Sequence, residues 1–173
     1  MSTNFPELLR VLFDAEIEFI VIGGAAAIAH GSARLTQDLV ILYRRTPNNL
    51  DRIVTALAPF RPYPRGAPPG LPFLWDRRTV EFGLNFTLHL SIGDIDVLGE
   101  IAGGTFEKLL PQTLTLELYG VRCLCLDLQT LIYTKRAAGR PKDFEAIAEL
   151  EALAEEKKRL SEQNRQSGDR PLN

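Results

Sequence analysis

The stretch from Ile17 to Tyr43, IEFIVIGGAAAIAHGSARLTQDLVILY, decides the fold. Ile17 to Ile22 is a short β-branched apolar run, broken only by Glu18 and stopped by Gly23-Gly24, a pattern that predicts a buried strand. Ala25 to His30 then reads as a helix, and Asp38 to Tyr43 as a second strand that begins at an acidic residue. Strand, glycine turn and helix bring backbone N–H groups and the positive end of a helix to one point, a natural cradle for phosphate. Two glycines in that place equally serve a tight turn or close helix packing.

Working outward, Asn4 or Thr3 can cap a helix with Pro6 and Glu7 in its first turn and Leu8, Leu9, Leu12 and Phe13 as its apolar stripe, ending near Ala15. Pro47, Asn48 and Asn49 introduce a helix over 50–57. Residues 59–72 hold six of the chain's 11 prolines together with Gly66 and Gly70, which predicts an irregular, partly stiff loop that shapes a pocket or crosses the surface. From Thr79 onward Val80, Phe82, Leu84, Phe86, Leu88 and Leu90 alternate with smaller or polar residues, predicting one long strand or two. Ser91-Ile92-Gly93 offers a turn, and Asp94 to Leu98 can return as an antiparallel neighbour.

A further strand is expected around Val121 to Leu126, with Cys123 and Cys125 on one face as buried apolar thiols. Asp127 can cap a helix running to Ala138, which Gly139-Arg140-Pro141 breaks. A second helix should start near Lys142, with Phe144, Ile147, Leu150 and Leu153 at helical spacing before the chain turns wholly charged. The expected architecture is therefore one domain over residues 1–160, α/β in class and of the α+β type. Its sheet is mixed but mostly antiparallel, with flanking helices and a C-terminal helical segment. Residues 161–173 have little to bury and are expected to form a disordered tail.

The 173 residues, 45% hydrophobic and 24% charged, suffice for one real core. A formal charge of −2 gives no global positive field, so any RNA contact must be local. Neither a secretory signal nor an apolar run long enough to span a bilayer is visible, which predicts a soluble, cytoplasmic protein with no membrane partner. Two closely spaced cysteines fit a reducing compartment better than a disulfide or metal pair.

Three segments carry a resemblance: FIVIGGAAAIAHGSARLTQDLVILY, GDIDVLGEIAG and LIYTKRAAGRPKDFEAIAEL. Together, over roughly residues 16–153, they resemble the nucleotidyltransferase superfamily, the DNA polymerase β-like fold. The likeness is greatest to its small bacterial minimal nucleotidyltransferases and to abortive-infection toxin nucleotidyltransferases. Such proteins carry an apolar strand, Gly-Gly or Gly-Ser, a short helix, a Thr-x-Asp-x-Asp strand opener and a later strand-borne aspartate. The resemblance implies transfer of a nucleoside monophosphate from an NTP to an RNA (tRNA-like) or protein acceptor, with Mg²⁺ or Mn²⁺, and a possible cognate toxin or antitoxin as partner.

Carried over by position, the resemblance implies that Gly23 and Gly24 approach the triphosphate and that Asp38 and Asp96 are the catalytic, metal-binding carboxylates. It makes Lys135 and Arg140 candidates for phosphate or acceptor contacts, with Asp143 orienting one of them. Asp-x-Asp suits metal chemistry because residues i and i+2 of a strand point to one side.

Val40 stands where the second aspartate of that motif is expected, and a valine offers no oxygen. Asp94 can replace it as a metal ligand, the acceptor can supply the oxygen, or the protein binds without catalysing. Alternatives to the transferase are accordingly a catalytically degenerate binding module and a small-molecule, antibiotic-type nucleotidyltransferase whose acceptor pocket is the proline-rich loop. Plainer readings stay open as well. Asp38 can be a strand-start residue, Asp94 the polar end of a hairpin, and Lys135, Arg136, Arg140 and Lys142 a solvated helical surface. His30 reads as a helix-end residue rather than a catalytic base.

Overall fold

Asn4 starts the first helix as the sequence predicts: its side-chain oxygen accepts from the Glu7 N–H at 3.2 Å while its amide donates back to the Glu7 carboxylate at 2.9 Å. The computed structural model describes residues 2–168. Helix α1 (Phe5–Asp14) buries Leu8, Leu9 and Leu12 completely. Strand β1 (Phe19–Ile22) follows, buried at every position, and runs directly into helix α2 (Gly23–Ala29). Strand β2 (Asp38–Tyr43) returns antiparallel to β1, and helix α3 (Pro47–Leu57) opens with proline in its first turn, three residues before the expected start.

The proline-rich segment contains a two-residue edge strand, β3 (Tyr63–Pro64). Helix α4 (Arg77–Phe82) comes next, then strands β4 (Asn85–Leu90) and β5 (Gly93–Leu98), antiparallel as expected. A small hairpin of β6 (Glu100–Ile101) and β7 (Gly104–Thr105) leads into the short helix α5 (Phe106–Leu109). Strands β8 (Thr113–Leu118) and β9 (Val121–Leu126) form a second hairpin, and helices α6 (Leu128–Ala138) and α7 (Phe144–Gly168) close the chain.

The result is mixed α and β. Seven strands form one sheet in the order β3-β4-β5-β2-β1-β9-β8. Two neighbouring pairs, β1 with β9 and β2 with β5, are parallel and the other pairs are antiparallel. No helix among the described residues is long and apolar enough to cross a membrane. Cys123 and Cys125 are both buried and free.

Two expectations are corrected. Thr79 to Phe82 are helical, because Asp76 accepts from the Thr79 N–H at 2.8 Å and so nucleates α4, where only Val80 is buried. Four residues of alternation cannot outweigh that cap, and the strand starts only after Gly83. Residues 161–168, expected in the tail, are helical instead: α7 continues through residue 168, exposed along that last stretch. Residues 169–173 of that tail lie outside the described residues.

Asn49 is fully buried and ties α3 to the strand ends. Its oxygen accepts from the Glu18 N–H at 2.8 Å, and its amide donates to the Glu18 and Arg44 carbonyls at 3.0 and 2.7 Å. His30 ends α2 and is also buried: Nε2 donates to the Leu126 carbonyl at 2.7 Å, which leaves Nδ1 to accept from the Lys157 ammonium of α7 at 3.1 Å. Burial first, and then the Lys157 charge, hold this ring below its ordinary pKa, against the opposing pull of the Leu126 carbonyl and Asp127.

Asn49→Ala strands three backbone groups and should cost about 2–3 kcal/mol in urea unfolding. His30 generates a pH dependence of defined sign. Its folded pKa lies below the ordinary 6.5, so the unfolded chain takes up the proton first; this share of stability is full above pH 6.5 and is lost as pH falls through and below it. His30→Gln should flatten the fall in melting temperature between pH 7 and pH 5.

Candidate functional site

Parallel pairing of β2 with β5 sets Asp38 opposite Asp94 and Val40 opposite Asp96. Alternation then places all four on one face of the sheet, while Leu39, Ile41, Ile95 and Val97 are buried without exposure on the other. Thr87 of β4 lies opposite Asp96, and His89 lies opposite Asp94.

Arg65, from the proline-rich loop, reaches into this row. One terminal nitrogen, Nη2, bonds directly to the Asp96 carboxylate and lies 3.7 Å from Asp38, while Nη1 lies 3.8 Å from Asp94. Asp94 also accepts from His89 Nδ1 at 2.6 Å. Burial raises the Asp96 pKa; Arg65 opposes that shift and the neighbouring Asp38 carboxylate reinforces it.

Beside the acids lies the glycine turn. Gly23 has φ +64°, and a Cβ there would sit 3.2 Å from the Val40 Cβ and Cγ2. A Cβ on Gly24 would sit 2.7 Å from the Thr36 Cβ and Oγ1. Thr36 in turn donates to the Asp38 carbonyl at 3.2 Å. Both glycines therefore have a packing reason to be glycine. No side chain caps the start of α2, so its first-turn N–H groups are not satisfied by a cap.

The opposite wall is basic. Lys135 sits on the last turn of α6 and Arg140 follows Gly139, which ends that helix with φ +64°. Asp143 is buried between them, 2.7 Å from Arg140 Nε and 4.0 Å from Lys135 Nζ. Burial pulls the Lys135 pKa down, Asp143 pulls it up, and Arg140 pulls it down again.

One open cleft of about 760 Å³ joins these walls. Gly23, Gly24, Asp38, Asp96, Lys135 and Arg140 all line it, so the structure brings six of the seven sequence candidates together. Asp94 lies on the same sheet face, outside the lining, engaged by His89 and Arg65. Ile22, Val40 and Leu98 contribute apolar surface between the walls. Of the four basic side chains, Lys135 is largely buried, at 14% exposure, whereas Arg136, Arg140 and Lys142 are exposed. His30 stands apart as a structural anchor.

Sequence reasoning missed Arg65, Thr87 and Asn85, all of which line the cleft. Arg65 did leave a signal, being the sole charge between Pro62 and Trp75. An arginine held in an otherwise uncharged proline-rich loop has a reason to be there.

The donor chemistry of Asp38 and Asp96 suits a divalent cation. Asp38 and Asp96 are hard oxygen donors close enough to share one guanidinium nitrogen, and Mg²⁺ commonly takes one or two carboxylates, completing its shell with water and phosphate. Val40, opposite Asp96 on the same face, offers no oxygen. Among the described residues no three His, Cys, Asp or Glu side chains stand ready as a cage. No family model matches the chain, and a search of curated proteins finds no match.

Gly24→Ala drives a methyl against Thr36 and should cost about 1–3 kcal/mol, read by urea unfolding. The double variant Gly24→Ala/Thr36→Gly should recover part of that loss. Absence of any recovery would mean that the constraint at Gly24 is not this contact.

Proposed function

We propose that the chain is a nucleotidyltransferase-type protein, of the DNA polymerase β-like fold, that binds a nucleoside triphosphate in this cleft and transfers its nucleoside monophosphate to an RNA or protein acceptor. The observation that carries the reading is convergence. Gly23-Gly24, Asp38, Asp96, Lys135 and Arg140 come from separate elements of the chain and line one cleft of nucleotide-compatible size.

In this reading the phosphates lie along the Gly23-Gly24 turn toward Lys135 and Arg140, because cationic donors and first-turn N–H groups both favour phosphate oxygens. Asp143 holds the two basic side chains in place from within the same wall. Asp38 and Asp96 would hold one Mg²⁺ or Mn²⁺, which when bound supplies charge neutralisation to the phosphates. Thr36 steadies the backbone at Asp38 through its hydroxyl. Val40 and Leu98 give the nucleotide an apolar surface to rest on.

A second reading, a binding module without turnover, is favoured by one observation: Val40 packs on Gly23 at the place where a further oxygen would be needed. A single set of measurements separates the two. Binding of a fluorescent ATP analogue should weaken about tenfold or more in Lys135→Ala and in Arg140→Ala. Transfer of labelled nucleotide with Mg²⁺ should vanish in Asp38→Ala and Asp96→Ala. Binding without transfer, together with a gain of transfer in Val40→Asp, selects the second reading. Transfer untouched by either aspartate substitution rejects the site.

A further inference from the structure

Among the described residues, Arg65 is the one side chain whose ion pairs reach Asp38, Asp94 and Asp96 together. Its backbone is fixed for that task. Tyr63 and Pro64 pair with β4, and the Arg65 N–H continues the ladder by donating to the Thr87 carbonyl at 2.9 Å. The Tyr63 hydroxyl bonds to the Pro68 carbonyl and accepts from the Leu71 N–H at 3.2 Å, closing the loop on itself. Arg65 thus opens the turn that follows the edge strand, held by one backbone hydrogen bond to β4, with its side chain reaching over the acids. The Arg65 side chain is 30% exposed, so it borders solvent rather than being enclosed by the acids.

The electrostatics give the contact a purpose. Three carboxylates on neighbouring strand positions repel one another, and Asp96 is only 17% exposed in its side chain. A guanidinium suits the gap because its fork offers separate nitrogens to separate carboxylates, with Nη2 serving Asp96 and Asp38, and Nη1 facing Asp94. The cluster remains net negative with Arg65 in place, so it still attracts a cation. A divalent ion held by Asp38 and Asp96 together would need the space between the two carboxylates that Nη2 now enters. Guanidinium and metal ion cannot both be there.

We propose that Arg65 is a resident counter-ion that competes with a divalent cation for Asp38 and Asp96, and that its side chain must turn out of the carboxylate cluster before a metal ion can bind. This inference rests on the reading of Asp38 and Asp96 as metal ligands. It makes cation affinity at the cleft a property of the proline-rich loop as much as of the acids.

The test is Mn²⁺ binding to the full chain without nucleotide, followed by electron paramagnetic resonance or calorimetry. Arg65→Ala should bind Mn²⁺ at least about tenfold more tightly than the natural protein, since a fixed positive charge a few ångströms away is removed. Arg65→Gln, which keeps much of the side chain's length without charge, should give a similar gain and serves if the alanine variant does not fold. Arg65→Lys should stay near the natural affinity. The gain should disappear in Arg65→Ala/Asp96→Asn. Unchanged or weaker Mn²⁺ binding in folded Arg65→Ala or Arg65→Gln overturns the proposal, as does a gain that survives the Asp96→Asn change. Nucleotide binding by the natural protein is a separate outcome: its absence with the Mn²⁺ gain intact in the variants defeats the nucleotide reading and leaves the counter-ion in place.

Discussion

Parallel pairing between β2 and β5 is the constraint on which the rest of the cleft depends. It sets Asp38 beside Asp94 and Val40 beside Asp96, and it does so because the opposite face of the same two strands carries Leu39, Ile41, Ile95 and Val97. Each of those side chains is worth about 1.5–3 kcal/mol of burial. A slip of one residue would carry a carboxylate row into the core and an aliphatic row into water. The chemical face is therefore fixed by the apolar face, and no polar interaction has to specify it.

Once the acids are gathered, their charge must be answered locally, because the chain as a whole is nearly neutral. Each wall of the cleft contains its own counter-ion. Arg65 sits among the acids, and Asp143 sits between Lys135 and Arg140. Partly buried charges left unpaired would be costly, so this mutual containment lets both walls exist in one folded protein. Ligand binding at such a cleft is an exchange of partners. Its net energy is the difference between two sets of ion pairs, which is smaller than either set taken alone.

The strands, caps and breaks that rest on local chemistry were legible: β1, β2 and β5, the Asn4 and Asp127 caps, and the Gly139 stop all follow from neighbouring residues. Six of the candidate residues, distant in the chain, line one cleft. Two kinds of feature escaped. Helix α4 was masked by a short alternation that tertiary burial of Val80 did not require to be a strand, whereas the Asp76 cap decided it. Arg65 escaped because its meaning lies in contacts with residues 27 to 31 positions away in the chain, across the sheet, which no local pattern encodes. The separation of Asp94 from the cleft lining was hidden for the same reason, since it depends on His89 and the strand register.

The Tyr63 hydroxyl, which closes the proline-rich loop, also changes where the folded chain is open to attack. A long surface loop is ordinarily the first site of proteolytic nicking. Here the prolines restrict the extended conformations a protease needs, and the hydroxyl holds both ends of the turn together. The exposed second half of α7 instead offers Lys158, Arg159 and Arg165 on a helix with no core beneath it. Trypsin should therefore shorten this protein from its C-terminal helix while the loop that carries Arg65 stays intact.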